Sequence, residues 1–175
     1  LLDKGMQMLC GTVTSGACIA VGAEAADSTF LFTPSATAVN SIQYENAIRM
    51  SFSDPNQGTA SAEYIADNGI ATKIAVIYNS SDTYSTGIYQ KFAEEAKNKG
   101  LDVVAAEAFT ADQNKDFSVQ IQKAKDAGAE LVFLPIYYQE ASLILAQANK
   151  AGFTPKYFGC DGIDRKSTRL NSSHI

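Results

Sequence analysis

Residues 73–107 read KIAVIYNSSDTYSTGIYQKFAEEAKNKGLDVVAAE. The apolar run at 73–78 is long enough for a strand and too short for a helix. Residues 85–99 space their apolar side chains at helical intervals, and Gly100 supplies a stop. A second apolar run occupies 101–107. Strand, helix and strand in that order predict a βαβ unit with parallel strands.

The alternation continues on the C-terminal side. A helix at 117–127 closes at Gly128, a buried strand covers 130–135, a helix at 139–150 stops at Ala151-Gly152, and a short strand covers 156–159. Toward the N-terminus, residues 7–10 read as a strand, 15–26 as an Ala-rich helix and 29–32 as a strand before a Pro-containing loop. Residues 47–53, AIRMSFS, alternate apolar and polar side chains. Asp54-Pro55-Asn56 then signals a turn and the start of a helix that runs to about Asn68. This stretch is either a crossover between two lobes or a loop inside one doubly wound domain. On the first reading, residues 1–50 are part of an N-terminal lobe and residues 51–163 are the crossover and most of a second lobe.

At 175 residues the chain is short for two complete lobes, and it opens on LLDKG, which resembles the last turn of a helix already under way. We therefore expect an incomplete piece of a longer protein. Residues 164–174, DRKSTRLNSSH, resemble the in-frame translation of a sequencing-adapter string. The tail 164–175 is set aside on that ground.

The chain carries 14 Lys and Arg against 19 Asp and Glu, and without the tail the balance is more acidic still, which disfavours nucleic acid as a partner. Its single histidine, His174, lies in the tail, so the remainder has no Ser-His-Asp or Cys-His pair and no imidazole metal ligand. Cys10, Cys18 and Cys160 form no metal-ligand spacing and read as small buried side chains. No G-x-G-x-x-G or Walker pattern is present, which argues against a nucleotide-dependent doubly wound enzyme.

In open α/β sheets ligands bind beyond the carboxyl ends of the strands. After Cys10 come Thr14 and Ser15 at a helix start, where free N–H groups and the helix dipole favour an anion; plain capping is the alternative. After the strand at 29–32 comes a loop of small residues, Ser35, Ala36 and Thr37, whose carbonyls and hydroxyls can accept from an ammonium. Tyr84 precedes a helix, and Tyr137 and Tyr138 follow the strand at 130–135; each tyrosine either packs a lobe surface or lids a pocket. Asp161 can pair with a cation or sit in a solvated turn.

Taken together, GTVTSG at 11–16, PSAT at 34–37, Arg49, the loop ending at Tyr84, DFSVQIQKAKDAGAELVFL at 116–134 and FGCDG at 158–162 resemble the leucine/isoleucine/valine-binding family. These are type I periplasmic-type binding proteins, the solute receptors of ABC transporters. The resemblance implies two doubly wound parallel-sheet α/β lobes, here truncated, that close by hinge motion on a branched-chain or similar small amino acid and present it to a membrane permease. It implies no enzyme activity, no cofactor, and an extracytoplasmic location, in the periplasm or as a cell-surface lipoprotein. Carried over by position, Thr14, Ser15 and the Thr37 N–H would hold the ligand carboxylate. The Ser35 carbonyl, the Thr37 hydroxyl and Asp161 would meet the ammonium. Tyr84 and one of Tyr137 or Tyr138 would cover the ligand. Members often carry Glu where Asp161 stands, so the shorter side chain implies a bridging water. The alternative with the same fold is the ligand-sensing ectodomain of a receptor.

Overall fold

Two separate parallel sheets organise the chain in the computed structural model, which describes residues 2–164. The first sheet has strand order β1-β2-β3, from β1 (Met8–Cys10), β2 (Phe30–Thr33) and β3 (Ala47–Arg49). Helix α1 (Ser15–Ala25) connects β1 to β2. The second sheet has the order β5-β4-β6-β7, from β4 (Lys73–Asn79), β5 (Asp102–Phe109), β6 (Leu131–Leu134) and β7 (Lys156–Gly159). Helices α2 (Asp54–Asp67), α3 (Thr83–Asn98), α4 (Ser118–Asp126) and α5 (Tyr138–Lys150) accompany it. The expected α/β class with parallel sheets is the observed one. The adapter-like tail falls, beyond Asp164, outside the described residues.

The second sheet is covered on both faces, which explains its unbroken apolar runs. Along β4, Ile74 and Val76 pack with Ile65, Ile88, Phe92 and Phe133, while Ala75 and Ile77 pack with Phe117, Ile121 and Ile144 on the other face. Helices α2 and α3 lie against each other closely enough that a Cβ on Gly58 would collide with the Ile88 carbonyl and stand 2.8 Å from the Phe92 nitrogen.

Local chemistry sets the boundaries. The Ser53 side chain accepts from the Asn56 N–H and Pro55 occupies the first turn, starting α2 just after the crossover. The Asp82 carboxylate accepts from the Ser85 N–H at 3.2 Å, so α3 begins at Thr83 rather than at 85. Phe117 is fully buried and precedes α4 as its cap residue, which moves that helix start one residue along.

The first sheet has a much smaller core, centred on Cys18, Leu31 and Ala36. Side chains fasten its backbone instead. Asn46 donates to the Ala25 and Thr29 carbonyls, and the Thr29 hydroxyl donates to the Met6 carbonyl at 2.9 Å.

Candidate functional site

The loops after β1, β2, β4, β6 and β7 converge on one cavity, as the parallel topology requires of carboxyl-end loops. At its α1 end Thr14 is extended, and its side chain makes no capping bond. Ser15 does the fastening: it is buried, and its hydroxyl accepts from the Thr37 N–H at 3.2 Å and the Ala38 N–H at 3.0 Å. The Thr37 N–H, which the resemblance assigns to a carboxylate, is thus donated to Ser15 in this arrangement. The Gly16 and Ala17 N–H groups at the start of α1 carry no hydrogen bond among the described residues. Orphan N–H groups at a helix start favour an anion.

The loop after β2 is held from below. Arg49, at the end of β3, donates one guanidinium nitrogen to the Thr37 and Ala38 carbonyls, both at 2.9 Å. The Ser51 hydroxyl reaches the Ala36 carbonyl, and the Asp54 N–H donates to the Thr37 carbonyl at 3.0 Å. Of the carbonyls from 35 to 38, only that of Ser35 has no hydrogen bond among the described residues. The Ala36 side chain packs in the small core.

Opposite stand groups from the second sheet. Tyr84 is buried, donates its hydroxyl to Asp161 Oδ1 at 2.7 Å, accepts from the Gly162 N–H at 2.9 Å, and stacks on Tyr137 with ring centres 4.8 Å apart. Burial pushes the Tyr84 hydroxyl pKa far up, and the Asp161 charge adds to the shift. Burial also raises Tyr137, helped by Asp82, while the Ser15 N–H donated toward its oxygen opposes the rise. That contact links the start of α1 to the start of α5. Gly162 is required at its position, because a Cβ there would lie 2.7 Å from the Tyr84 hydroxyl and 2.9 Å from the Ile136 carbonyl.

The cavity measures about 240 Å3 and is lined by Thr14, Ser15, Ser35, Thr37, Tyr84, Tyr137, Tyr138 and Asp161, together with Val13, Gly162 and Asp164. All the residues singled out from the sequence line it except Ala36. A larger cavity of about 500 Å3 lies between α5 and β7, but its walls are chiefly apolar and no set of polar groups converges there.

Asp54 was read from the sequence only as a helix-start signal. It is 1 % exposed, its Oδ2 has no hydrogen-bond partner among the described residues, and Gln57 reaches only Oδ1, at 3.4 Å. Burial raises its pKa to about 6; the nearby Thr37 side chain opposes the rise, Asp161 and Asp82 add to it, and Arg49 opposes it. Burial also lifts Asp82 above the usual carboxylate range and the Cys160 thiol to about 12. A helix-start aspartate is ordinary in a sequence, and nothing in the spacing told that this carboxyl would be enclosed between the loop after β2 and α3.

Three carboxylates, Asp161, Asp82 and Asp54, raise the pKa of Tyr137, and Arg49 is the one cation whose field reaches Asp54 among its resolved influences. The field on this side suits an ammonium. Across the cavity the α1 start suits a carboxylate. Among the described residues no cluster of His, Cys, Asp or Glu could hold a metal ion.

A family model described as "Periplasmic binding protein" matches residues 1–172. A leucine-, isoleucine-, valine-, threonine- and alanine-binding protein of Pseudomonas aeruginosa is 31% identical over 139 residues, covering 78% of this chain and 37% of that protein. A leucine-binding protein from Thermotoga maritima superposes with a TM-score of 0.88 at 26% identity, over 98% of this chain and 49% of the other. A branched-chain amino acid transporter substrate-binding protein from Streptococcus pneumoniae, solved with isoleucine, gives 0.81 at 30% identity, over 89% of this chain and 44% of the other. The chain spans less than half the length of each. All three are binding proteins by description, not enzymes.

Proposed function

The chain belongs to the periplasmic binding protein family, and from that premise we propose that it forms part of the solute-binding component of an ABC transporter, taking a branched-chain or similar small amino acid. In this reading residues 1–50 belong to one lobe and 51–163 to the crossover and most of the other. The ligand carboxylate meets the start of α1 at Thr14 and its neighbouring N–H groups. The ammonium meets the Ser35 carbonyl, the Thr37 hydroxyl and Asp161, directly or through a water. Tyr84, Tyr137 and Tyr138 form the cover, with Tyr84 holding Asp161 in place through its hydroxyl.

The observation that carries this reading is the gathering around one small cavity of the α1 start at Thr14 and Ser15, the bond-free Ser35 carbonyl and the Asp161 carboxylate. That is the charge pattern of a zwitterion, and a cavity of about 240 Å3 suits a small one. The names of the similar proteins, which bind leucine, isoleucine and valine, support the same class. Binding then acts through closure: a ligand touching both sides stabilises the closed arrangement by its differential contacts, and a membrane permease receives that form. The location is extracytoplasmic. No helix among the described residues is long and apolar enough to cross a membrane.

Calorimetry of the full-length protein against a panel of amino acids, sugars and nucleosides is the test. Saturable binding of aliphatic amino acids is expected. A protein that ignores all amino acids but binds a sugar or nucleoside ends the reading.

A further inference from the structure

Both loops assigned to the ligand ammonium are tied to the first turn of α2. The Asp54 N–H donates to the Thr37 carbonyl of the loop after β2 at 3.0 Å. Three residues on, the Gln57 side-chain oxygen Oε1 accepts from the Asp161 N–H of the loop after β7 at 3.2 Å. Residues three apart on a helix are neighbours on its surface, so one turn reaches the Ser35–Thr37 loop of the first sheet and the Asp161 loop of the second. Gln57 does not line the ligand cavity; it lines a separate groove of about 430 Å3 that Asp161 borders as well.

The orientation of the Gln57 amide is forced by its partners. A backbone N–H can only donate, so the amide oxygen faces Asp161, which leaves the Nε2 group to donate to Asp54 Oδ1 at 3.4 Å. The helix that carries this amide is seated firmly. Ser53 caps it, and at Gly58, the residue after Gln57, an added Cβ would stand 2.8 Å from the Phe92 nitrogen of α3. Helix α3 supplies the other fastening of the same loop: the Tyr84 hydroxyl donates to Asp161 Oδ1 at 2.7 Å and accepts from the Gly162 N–H at 2.9 Å.

The loop after β7 depends on such outside support. Strand β7 stands at the end of its sheet and pairs with β6 alone among the described residues. Beyond it the chain makes one short helical turn, Asp161–Ile163. An aspartate carboxylate is a single carbon removed from its Cα, so it goes where its backbone goes. Tyr84 holds Oδ1 and so sets the side-chain torsions, which leaves Oδ2 to meet a ligand; the backbone nitrogen is held by Gln57. We propose that Gln57 is a positioning residue of the amino-acid site: by accepting from the Asp161 N–H it fixes where the loop after β7 presents its carboxylate relative to the Ser35 and Thr37 acceptors. The assignment rests on the amino-acid reading above and adds to it the element that keeps the two halves of the ammonium site in register.

The experiment uses the full-length protein titrated with L-leucine by calorimetry. Gln57→Met keeps a side chain of similar length and removes the accepting oxygen. It is expected to weaken leucine binding by about three-fold to ten-fold, the size of one neutral hydrogen bond. Asp161→Ala weakens it further, and in that background Gln57→Met costs less than about two-fold more, because Gln57 acts through Asp161. Hydrogen exchange at the Asp161 amide quickens in Gln57→Met while Ile74 and Val76 in β4 keep their wild-type protection. Leucine affinity within about two-fold of wild type in Gln57→Met, or an undiminished loss in the Asp161→Ala background, overturns the assignment, since a residue that only fastens α2 would lower the melting temperature without acting through Asp161. Should Gln57→Met fail to fold, exchange in the wild type decides: the Asp161 amide must be protected before leucine is added, and exchange at the rate of a free amide rejects the role. If wild type binds no amino acid, the amino-acid reading itself has failed and this assignment goes with it; leucine binding that is indifferent to Gln57 removes the assignment alone.

Discussion

The two sheets are built on different physics. The four-stranded sheet is sandwiched between helices and holds the largest buried side chains, among them Phe92, Phe117, Phe133 and Ile88. The three-stranded sheet buries little beyond Cys18, Leu31 and Ala36 and leaves Met8, Phe30 and Ile48 exposed. What holds it is a lattice of side-chain to backbone hydrogen bonds from Ser15, Asn46 and Arg49. Apolar burial scales with area and tolerates small shifts, whereas a hydrogen bond is lost when its geometry is. The loops after β1 and β2 that line the cavity hang from the polar side, so ligand geometry there depends on a few bonds.

Phe133→Ala tests the apolar side. The ring stacks on Phe92 with centres 4.1 Å apart and is fully buried. Its loss is expected to remove about 3 to 5 kcal/mol, measured by chemical denaturation, with a strong fall in the midpoint. A cost below about 1 kcal/mol would mean that this sheet is not the stabilising half.

Arg49→Met tests the polar side with a smaller effect. It keeps a side chain of similar length and removes both bonds to the Thr37 and Ala38 carbonyls. Each carbonyl keeps one other partner, the Asp54 N–H and the Ser41 N–H respectively, so the cost is about 2 kcal/mol rather than that of a bare buried carbonyl. Hydrogen exchange should quicken at residues 36–38 while β4 and β6 stay protected, and affinity for leucine should fall. Uniform loss of protection across both sheets would contradict the division drawn here.

How far the sequence disclosed this follows the same division. The buried strands and helices at 73–159 announce themselves through uninterrupted apolar runs and glycine stops, because burial on two faces leaves no ambiguity of period. The positions of Thr14, Ser35, Tyr84, Tyr137 and Asp161 were readable as carboxyl-end loop residues. Their partners were not. That Ser15 would turn inward to accept from Thr37 and Ala38, that Tyr84 would bind Asp161 rather than stand free, and that Asp54 would be enclosed are long-range contacts, set by how the two sheets meet. No spacing along the chain encodes them.

The smallest effect, and the one whose sign discriminates, is Asp54→Asn on stability. The carboxyl has its pKa raised from 3.8 to about 6 by burial, so the folded state binds the proton more tightly than the unfolded chain does. A raised carboxyl contributes stability that is fully present below the unfolded value and is lost as pH rises through the folded one. Above about pH 7 the wild type therefore carries the full burden of a buried charge, roughly 2 kcal/mol once the favourable helix-start dipole is counted. Asparagine keeps the shape and the N–H bond to Thr37 and removes that charge. Thermal melts should show Asp54→Asn more stable than wild type at about pH 8, with the advantage shrinking to nothing near about pH 4. Loss of stability at about pH 8 would instead place Asp54 among the structural fasteners, alongside Ser15 and Asn46.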